Sequence, residues 1–445
     1  MNTPERSGGR PLPIFSVFNA IAIIVGIVVG IGIFRLPPLV AQNASSAWEF
    51  LLFWIAGGIV SILGALCYAE LAAANPDAGG EYHFLHRAFG PSLGFLFSWG
   101  RMTVIQTGSI ALAAFILGDY ASLLLDLGPY SSAIYAGITV CMLTTLNVWG
   151  THPSKHTQNV LTGAIILLLM AVAVLSFLKD STSAPLLASG NPTSTSGSAG
   201  MAMIFVLLTY GGWNEAAYLS AELKDVRQNM VRVLVLGLSL ITVLYLLINI
   251  AYLNVLGFET LRQAETVGAD LTEYLVGSGG AIFMAIIVIL TASSTANATI
   301  ITGARTNYAL GRDFQFIGIL GRWSKRNNTP TNALLVQGAI ALLLVIFGAF
   351  TKESITTMVD YTAPVFWFFL MLTGIALFVF RRRYPESSRP FKVPFYPVIP
   401  ALFVATTMFM LYSSLTFTGI GALFGVGILL VGVPVLIWGR SRKQT

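Results

Sequence analysis

Apolar residues in this chain come in long blocks rather than at amphipathic spacing, with 159 to 178, 233 to 256 and 397 to 416 among the clearest. Blocks of that length cross a hydrocarbon core of about 30 Å as single helices. Twelve such spans are predicted, at 16–43, 49–74, 91–121, 130–149, 157–178, 199–223, 230–256, 277–311, 332–350, 354–381, 397–417 and 420–439. Polar stretches divide them. Residues 180–200 are a Ser/Thr/Gly/Pro run that reads as a flexible external linker. The stretch 258–276 carries Glu259, Glu265, Asp270 and Glu273 around short apolar pieces and reads as a short external helix over a vestibule.

Composition agrees with that pattern. Of 445 residues, 55% are hydrophobic and 10% charged, against about 25% charged in a soluble domain, so the bilayer is the solvent for most of the chain. The first thirteen residues are polar and proline-rich, without the basic, apolar and small-residue succession of a cleaved signal peptide. Cys67 and Cys141 lie inside apolar blocks and read as packing residues rather than a disulfide framework. The four histidines, His83, His86, His152 and His156, fall in connections, which excludes a histidine-ligated zinc or haem site at membrane depth. No GxxxxGK phosphate loop occurs, which argues against direct ATP coupling. No catalytic residue, cofactor or metal is expected, and an enzyme is not.

A net charge of +6 raises the question of a nucleic-acid partner, which the placement of the charges answers. With the amino terminus in the cytoplasm, 21 lysines and arginines, Arg101 among them, fall on the inner side, and only Lys179, Arg262 and Lys352 fall outside. Arg35 remains within the first span. That asymmetry follows the positive-inside rule, with both termini cytoplasmic, and makes the lipid bilayer the partner instead of nucleic acid.

Two spans carry breaks at corresponding places. In the first, Gly26, Gly30 and Gly32 are followed by Pro37 and Pro38. In the sixth, Thr209-Tyr210-Gly211-Gly212-Trp213-Asn214-Glu215 interrupts the apolar run. Glycine lowers helix stability by about 1 kcal/mol and proline by about 3. Unwound backbone inside a bilayer must face a cavity or protein, because each free N–H or C=O in hydrocarbon costs several kcal/mol. Such groups suit a zwitterion, with amides at the start of a half-helix for a carboxylate and carbonyls at the end of the preceding half-helix for an ammonium. Small-residue packing accounts for Gly26 and Gly30 equally well. Two breaks 181 residues apart, Gly30 to Gly211, each opening a block of five helices, fit an inverted repeat with its site between the halves.

These residues resemble the amino acid, polyamine and organocation superfamily, and within it the L-type amino acid transporter-like permeases. The resemblance covers nearly the whole chain. It rests on Val29-Gly30-Ile31-Gly32-Ile33-Phe34, on Tyr68-Ala69-Glu70-Leu71, on Asn75-Pro76-Asp77-Ala78-Gly79-Gly80-Glu81-Tyr82, on Tyr210-Gly211-Gly212-Trp213-Asn214 with Glu222 after it, and on Asn297 to Arg305. It implies an all-α integral membrane protein of twelve transmembrane helices, a five-plus-five inverted repeat with two extra helices, and alternating access. The parts are then a tail (1–15), a first repeat (16–178), an external linker (179–198), a second repeat (199–381), two further helices (382–439) and a tail (440–445). The resemblance places an amino acid between helices 1 and 6, its carboxylate on the amides near Ile31 and Gly32 and its amine on the carbonyls near Val28, Leu208, Thr209 and Gly211, with Gly30, Tyr210 and Asn214 beside them. Two departures stand out. Leu208 occupies the position of an aromatic lid found in many relatives, leaving Phe205 or Tyr210 as substitutes, and Ile165 occupies the position of their helix 5 lysine.

Charges at membrane depth are functional candidates because each costs at least ~2.5 kcal/mol there. Glu215, next to the second break, suits a cationic side chain or a proton, or else anchors the broken helix. Glu70 and Glu222, near cytoplasmic ends, suit gating or topological salt bridges. Arg35 and Asp360 are expected to bridge as an external gate, the alternative being Arg35 snorkelling and Asp360 capping a helix. Ser294 and Thr295, with Thr291 and Ser293, offer hydroxyls where the resemblance implies a sodium site, although such hydroxyls commonly bond their own backbone. The expected activity is secondary transport of neutral α-amino acids, with proton or sodium coupling open. A cationic amino acid or polyamine permease using Glu215 is the alternative, and a transport-like receptor a more remote one. No disulfide-linked subunit is expected, since the loop between helices 3 and 4 lacks cysteine. The compact chain points to a bacterial inner membrane.

Overall fold

The computed structural model describes residues 17–75, 79–150, 155–178, 198–215, 223–324, 329–351, 353–417 and 419–441. The described residues are helical and contain no strand. In chain order the helices are α1 (Val17–Val28), α2 (Pro37–Gln42), α3 (Ala47–Ala74), α4 (Gly80–Phe89), α5 (Pro91–Gly100), α6 (Gln106–Leu124), α7 (Ser131–Val148), α8 (Lys155–Leu178) and α9 (Ala199–Thr209). They continue with α10 (Val226–Leu256), α11 (Phe258–Gln263), α12 (Val267–Val276), α13 (Ser278–Asp313), α14 (Thr331–Ala349), α15 (Ser354–Arg383), α16 (Val398–Thr416) and α17 (Ile420–Ser441). Among the described residues nine helices are long and apolar enough to cross a membrane, and α1, α8 and α9 belong to shorter apolar helices. The first tail, most of the 179–198 linker and the last four residues lie outside the described residues.

Local chemistry sets the helix ends. Ser46 caps α3 by accepting from Glu49 N at 3.2 Å, while the Glu49 carboxylate takes Ser45 N at 2.7 Å, so free amides at the helix start are satisfied by side chains. Pro37 and Pro38 open α2, where a missing N–H costs nothing. The core runs through the bundle, and large apolar side chains such as Trp48, Leu52, Ile59 and Phe350 remain exposed on the outer faces. That is the surface expected of helices solvated by lipid.

Four expectations change. The third span is not one regular helix: between α5 and α6 the backbone forms a π-turn over Arg101–Ile105, the kind of insertion that often marks functional positions. Arg101, counted above with the inner-side charges, sits on that turn and is 3% exposed. The external stretch 258–276 is two short helices, α11 and α12, rather than one. Cys67 is buried as a packing residue should be, but Cys141 is exposed on the surface of α7.

Candidate functional site

Helix α1 stops at Val28, and the bonding that follows is irregular. Val29 N reaches Val25 O and Gly30 N turns back onto Val28 O, both at 2.7 Å, before a 3₁₀ turn over Gly32–Phe34 leads to α2. The amides of Ile31 and Gly32 make no backbone hydrogen bond among the described residues. The second break has the same form. Helix α9 ends at Thr209, Gly211 N bonds Leu208 O at 3.0 Å, and a 3₁₀ turn over Trp213–Glu215 follows. Both glycine-centred breaks read from the sequence are therefore present.

The breaks touch each other, and glycine is what permits it. Gly212 has φ +104°, and a Cβ there would lie 2.8 Å from Ile27 Cγ2. A Cβ at Gly32 would lie 3.1 Å from Thr209 Cγ2 and 3.2 Å from Thr209 Cα. Neither position has room for a side chain without moving the other helix.

Three buried tyrosines hold the unwound backbone. The Tyr245 hydroxyl lies 2.7 Å from Val28 O and 3.1 Å from Thr209 O, so one donor is shared between carbonyls of both breaks. Tyr252 Oη donates to Ile33 O at 3.1 Å, and Tyr120 Oη donates to Phe34 O at 2.8 Å while accepting from Gly268 N at 3.2 Å. Gly268 lies on α12, so that short helix covers Phe34. On the same helix, burial pushes the Asp270 carboxyl above the usual carboxylate range. Sequence reasoning passed over these tyrosines because a tyrosine in an apolar block has no signature separating a backbone anchor from packing.

A cavity of about 310 Å³ opens where the breaks meet. Val28, Gly30, Ile31, Gly32, Leu208, Thr209, Gly211, Asn214 and Glu215 line it, joined by Thr295 on α13. Phe97, Leu112, Ile116, Phe366 and Trp367 give it an apolar wall from α5, α6 and α15. Tyr210 is not on the lining: it is fully buried, donates to Trp54 O at 3.0 Å and packs against the Trp54 and Tyr245 rings. Phe205 is buried away from the cavity as well, so neither stands in for a lid at Leu208.

The charged candidates fall into separate places. Glu215 is not isolated: Arg101 Nη2 donates to its Oε1 at 2.9 Å and its Oε2 at 3.1 Å. Arg101 Nη1 also reaches Glu81 Oε2 at 3.5 Å, and Glu81 Oε1 accepts from Asn214 Nδ2 at 3.2 Å and from the Tyr68 hydroxyl. Glu81, Arg101 and Glu215 all line the cavity. The expected Arg35–Asp360 bridge is not formed. Arg35 Nε pairs with Asp119 Oδ2 at 3.2 Å, Asp119 accepts from Ser132 Oγ at 2.6 Å, and Asp360 Oδ2 accepts from Gly419 N at 3.0 Å. Each group is satisfied locally instead, Arg35 by the Asp119 carboxylate and Asp360 by the Gly419 amide just before α17, whose Gly421 packs against Asp360. Glu70 is buried away from the cavity, taking Arg381 Nε and Nη2 at 2.8 and 2.6 Å and Val393 N at 2.7 Å. Glu222 lies outside the described residues. Thr295 faces the first break, 3.6 Å from a Cβ built on Gly30, while Thr291 and Ser293 bond back to the carbonyls of Ile287 and Ile289; Ser294 is not on the lining.

Paired half-helix ends facing one cavity, inside a bundle of membrane-length helices, define a multi-pass membrane protein. A family model described as amino acid permease matches residues 15–437, and the chain belongs to that family. It is similar to the b(0,+)-type amino acid transporter 1 of Mus musculus, 31% identical over 404 residues that cover 89% of this chain and 81% of that protein. The large neutral amino acids transporter small subunit 2 of Mus musculus is 30% identical over 433 residues, covering 95% and 80%. The cystine/glutamate transporter of Pongo abelii is 26% identical over 443 residues, covering 96% and 86%.

Proposed function

We propose that the chain is a secondary active transporter of α-amino acids, preferring neutral ones and working by alternating access. The observation that carries this reading is the meeting of both breaks at one cavity. The amides of Ile31 and Gly32 suit a carboxylate, and the carbonyls of Val28, Leu208, Thr209 and Gly211 suit an ammonium. Membership of the amino acid permease family and the names of the three relatives support amino acids as the class of cargo. The proposed frame is the five-plus-five inverted repeat with two extra helices, both termini on the cytoplasmic side of a bacterial inner membrane.

Neutral side chains are favoured because the carboxylate once available for a cationic one, Glu215, is held through both oxygens by Arg101. Phe97, Ile116, Phe366 and Trp367 leave an apolar space for the rest of the substrate. The test is uptake of labelled leucine into proteoliposomes in competition with unlabelled leucine, alanine and arginine, together with counterflow. Competition by leucine and alanine but not arginine is expected. Preferential competition by arginine would return the cationic reading, and binding without counterflow would favour a receptor. Thr295 beside the first break keeps a sodium reading specific enough to test: uptake at fixed pH should be unchanged when choline replaces sodium, and a loss would assign sodium coupling.

A further inference from the structure

One part of the cavity wall is polar in a one-sided way. Thr295, Thr299 and Thr302 line the cavity from one face of α13, and Ser109 lines it from α6. The hydroxyls of Thr299, Thr302 and Ser109 donate back to the carbonyls of Thr295, Ala298 and Ile105, at 2.8, 3.0 and 2.8 Å. Their protons are thereby used within their own helices, and the three oxygens offer the cavity only acceptors. Gln106 lies among them, 5% exposed and on the lining, with Nε2 donating to Thr302 Oγ1 at 3.2 Å. Because Thr302 has already given its proton, the amide nitrogen must be the end that faces it, which fixes the orientation of the amide. Among the described residues the Gln106 carbonyl oxygen and second N–H have no partner. We propose that Gln106 determines which substrate side chain the cavity selects, and that the chain it selects is a neutral primary carboxamide of glutamine length. This rests on the transport reading and narrows its substrate class.

The third span is built to present this amide. Gln106 N bonds Arg101 O, five residues back, to close the π-turn, and beyond it Gln106, Ser109, Leu112 and Ile116 fall on the cavity side of α6. Gly303 on α13 leaves room for the stem, since a Cβ there would lie 2.9 Å from Gln106 Cγ. The neighbouring amide of Gln337 is engaged at both ends, accepting from Asn307 Nδ2 at 3.0 Å and donating to Ile300 O at 3.1 Å. It is therefore not the partner that Gln106 lacks.

Length and chemistry both narrow the ligand. Thr295 stands beside the first break, and Thr302, the partner of Gln106, is about 10 Å further along α13. The four bonds from Cα to the amide nitrogen of glutamine span about 5 Å and a hydrogen bond adds about 3 Å, together close to that offset. With its head group on the breaks, glutamine arrives at Gln106, and asparagine, one methylene shorter, stops short of it. A carboxamide uses both free positions, donating to the Gln106 carbonyl and accepting from its second N–H. A thioether of the same length leaves both unpaired. A carboxylate can take the N–H but sets its other oxygen against the acceptors around it, and Arg101 Nη2 is already committed to both oxygens of Glu215.

Two readouts on the full-length protein test the proposal. In proteoliposomes, uptake is measured for glutamine, for methionine and glutamate, which have nearly its length, and for asparagine. Wild type should show a half-saturation for glutamine about three- to tenfold below that for methionine, the worth of one net hydrogen bond. Asparagine should fall near methionine, and glutamate should be the weakest. Q106L should bring glutamine and methionine together, through KM rather than kcat. T302V, which removes the hydroxyl that orients the amide, should lose part of the preference. In detergent, glutamine should protect wild type against heat more than methionine does, and the two should protect Q106L equally; if Q106L does not fold, T302V carries both comparisons. Equal half-saturation for glutamine and methionine in wild type, or glutamate matching glutamine, overturns the role of Gln106 while leaving transport standing. A full glutamine preference surviving in Q106L, or in T302V where Q106L does not fold, overturns it as well. Absence of counterflow for every amino acid overturns the transport reading, and the heat-protection comparison then decides the Gln106 site separately.

Discussion

A methyl group added at Gly212 would meet Ile27 Cγ2 at 2.8 Å, in a backbone with φ +104°. The conformation alone costs a non-glycine residue about 1–3 kcal/mol, so G212A is expected to lower the melting temperature and abolish uptake together. G32A has ordinary backbone but presses on Thr209 at 3.1 Å. Its uptake should fall sharply, and adding Thr209→Ser, which removes the methyl nearest the new Cβ, should restore part of it; no recovery would show that the obstruction is not at Thr209. Arg35 gives a second prediction at this scale. Neutralising Arg35 or Asp119 alone should reduce uptake, and exchanging the two charges should recover some of it, whereas exchange with Asp360 should not. Asp360 was legible in the sequence as a membrane-depth carboxylate, but its partner was not, because pairing across helices depends on packing that spacing along one helix does not encode.

Helix ends and interruptions explain how much of the architecture was readable. The two breaks were legible because glycine and proline change helix stability by amounts that survive any context, and both appear within a residue or two of the expected places. The π-turn at Arg101–Ile105 was not, since its sequence contains neither glycine nor proline, and so Arg101 looked like one more inner-side charge. The cavity suffered the same way: its main-chain half was read from the breaks, while Glu81, Arg101, Phe366 and Trp367 come from elements whose sequence gives no sign of facing inward. Glu70 makes a prediction at this level. Its buried carboxylate ties Arg381 at the end of α15 to Val393 in the connection that follows, with Arg389 Nε a further 3.7 Å away. Glu70→Gln should destabilise the fold by roughly 2–4 kcal/mol, reduced from a fully buried pair by the partial exposure of both arginines. Trypsin should then cut at Arg389 or Lys392 faster than in wild type; an unchanged rate would mean that Glu70 does not secure the connection.

Across the whole molecule, the asymmetry of lysine and arginine along the chain makes a claim about orientation. On that rule the 384–397 connection is expected inside and the α11–α12 stretch outside. In a background with Cys67 and Cys141 replaced, Gln263→Cys should react in intact cells with a membrane-impermeant maleimide, and Ser387→Cys should react only after the membrane is opened; the reverse pattern would invert the topology.

The shared hydroxyl of Tyr245 has one more consequence. Carbonyl dipoles of the same sense repel, yet Val28 O and Thr209 O both lie within reach of a single O–H, at 2.7 and 3.1 Å. Folding has therefore already converged two electron-rich atoms from separate helices on one point before any cargo arrives. The carbonyls proposed to receive the ammonium are thus held in place by a donor of the protein itself, and little of the binding free energy is lost in gathering them. In the proposed transport cycle, walls stiffened in this way favour rapid repetition over tight retention.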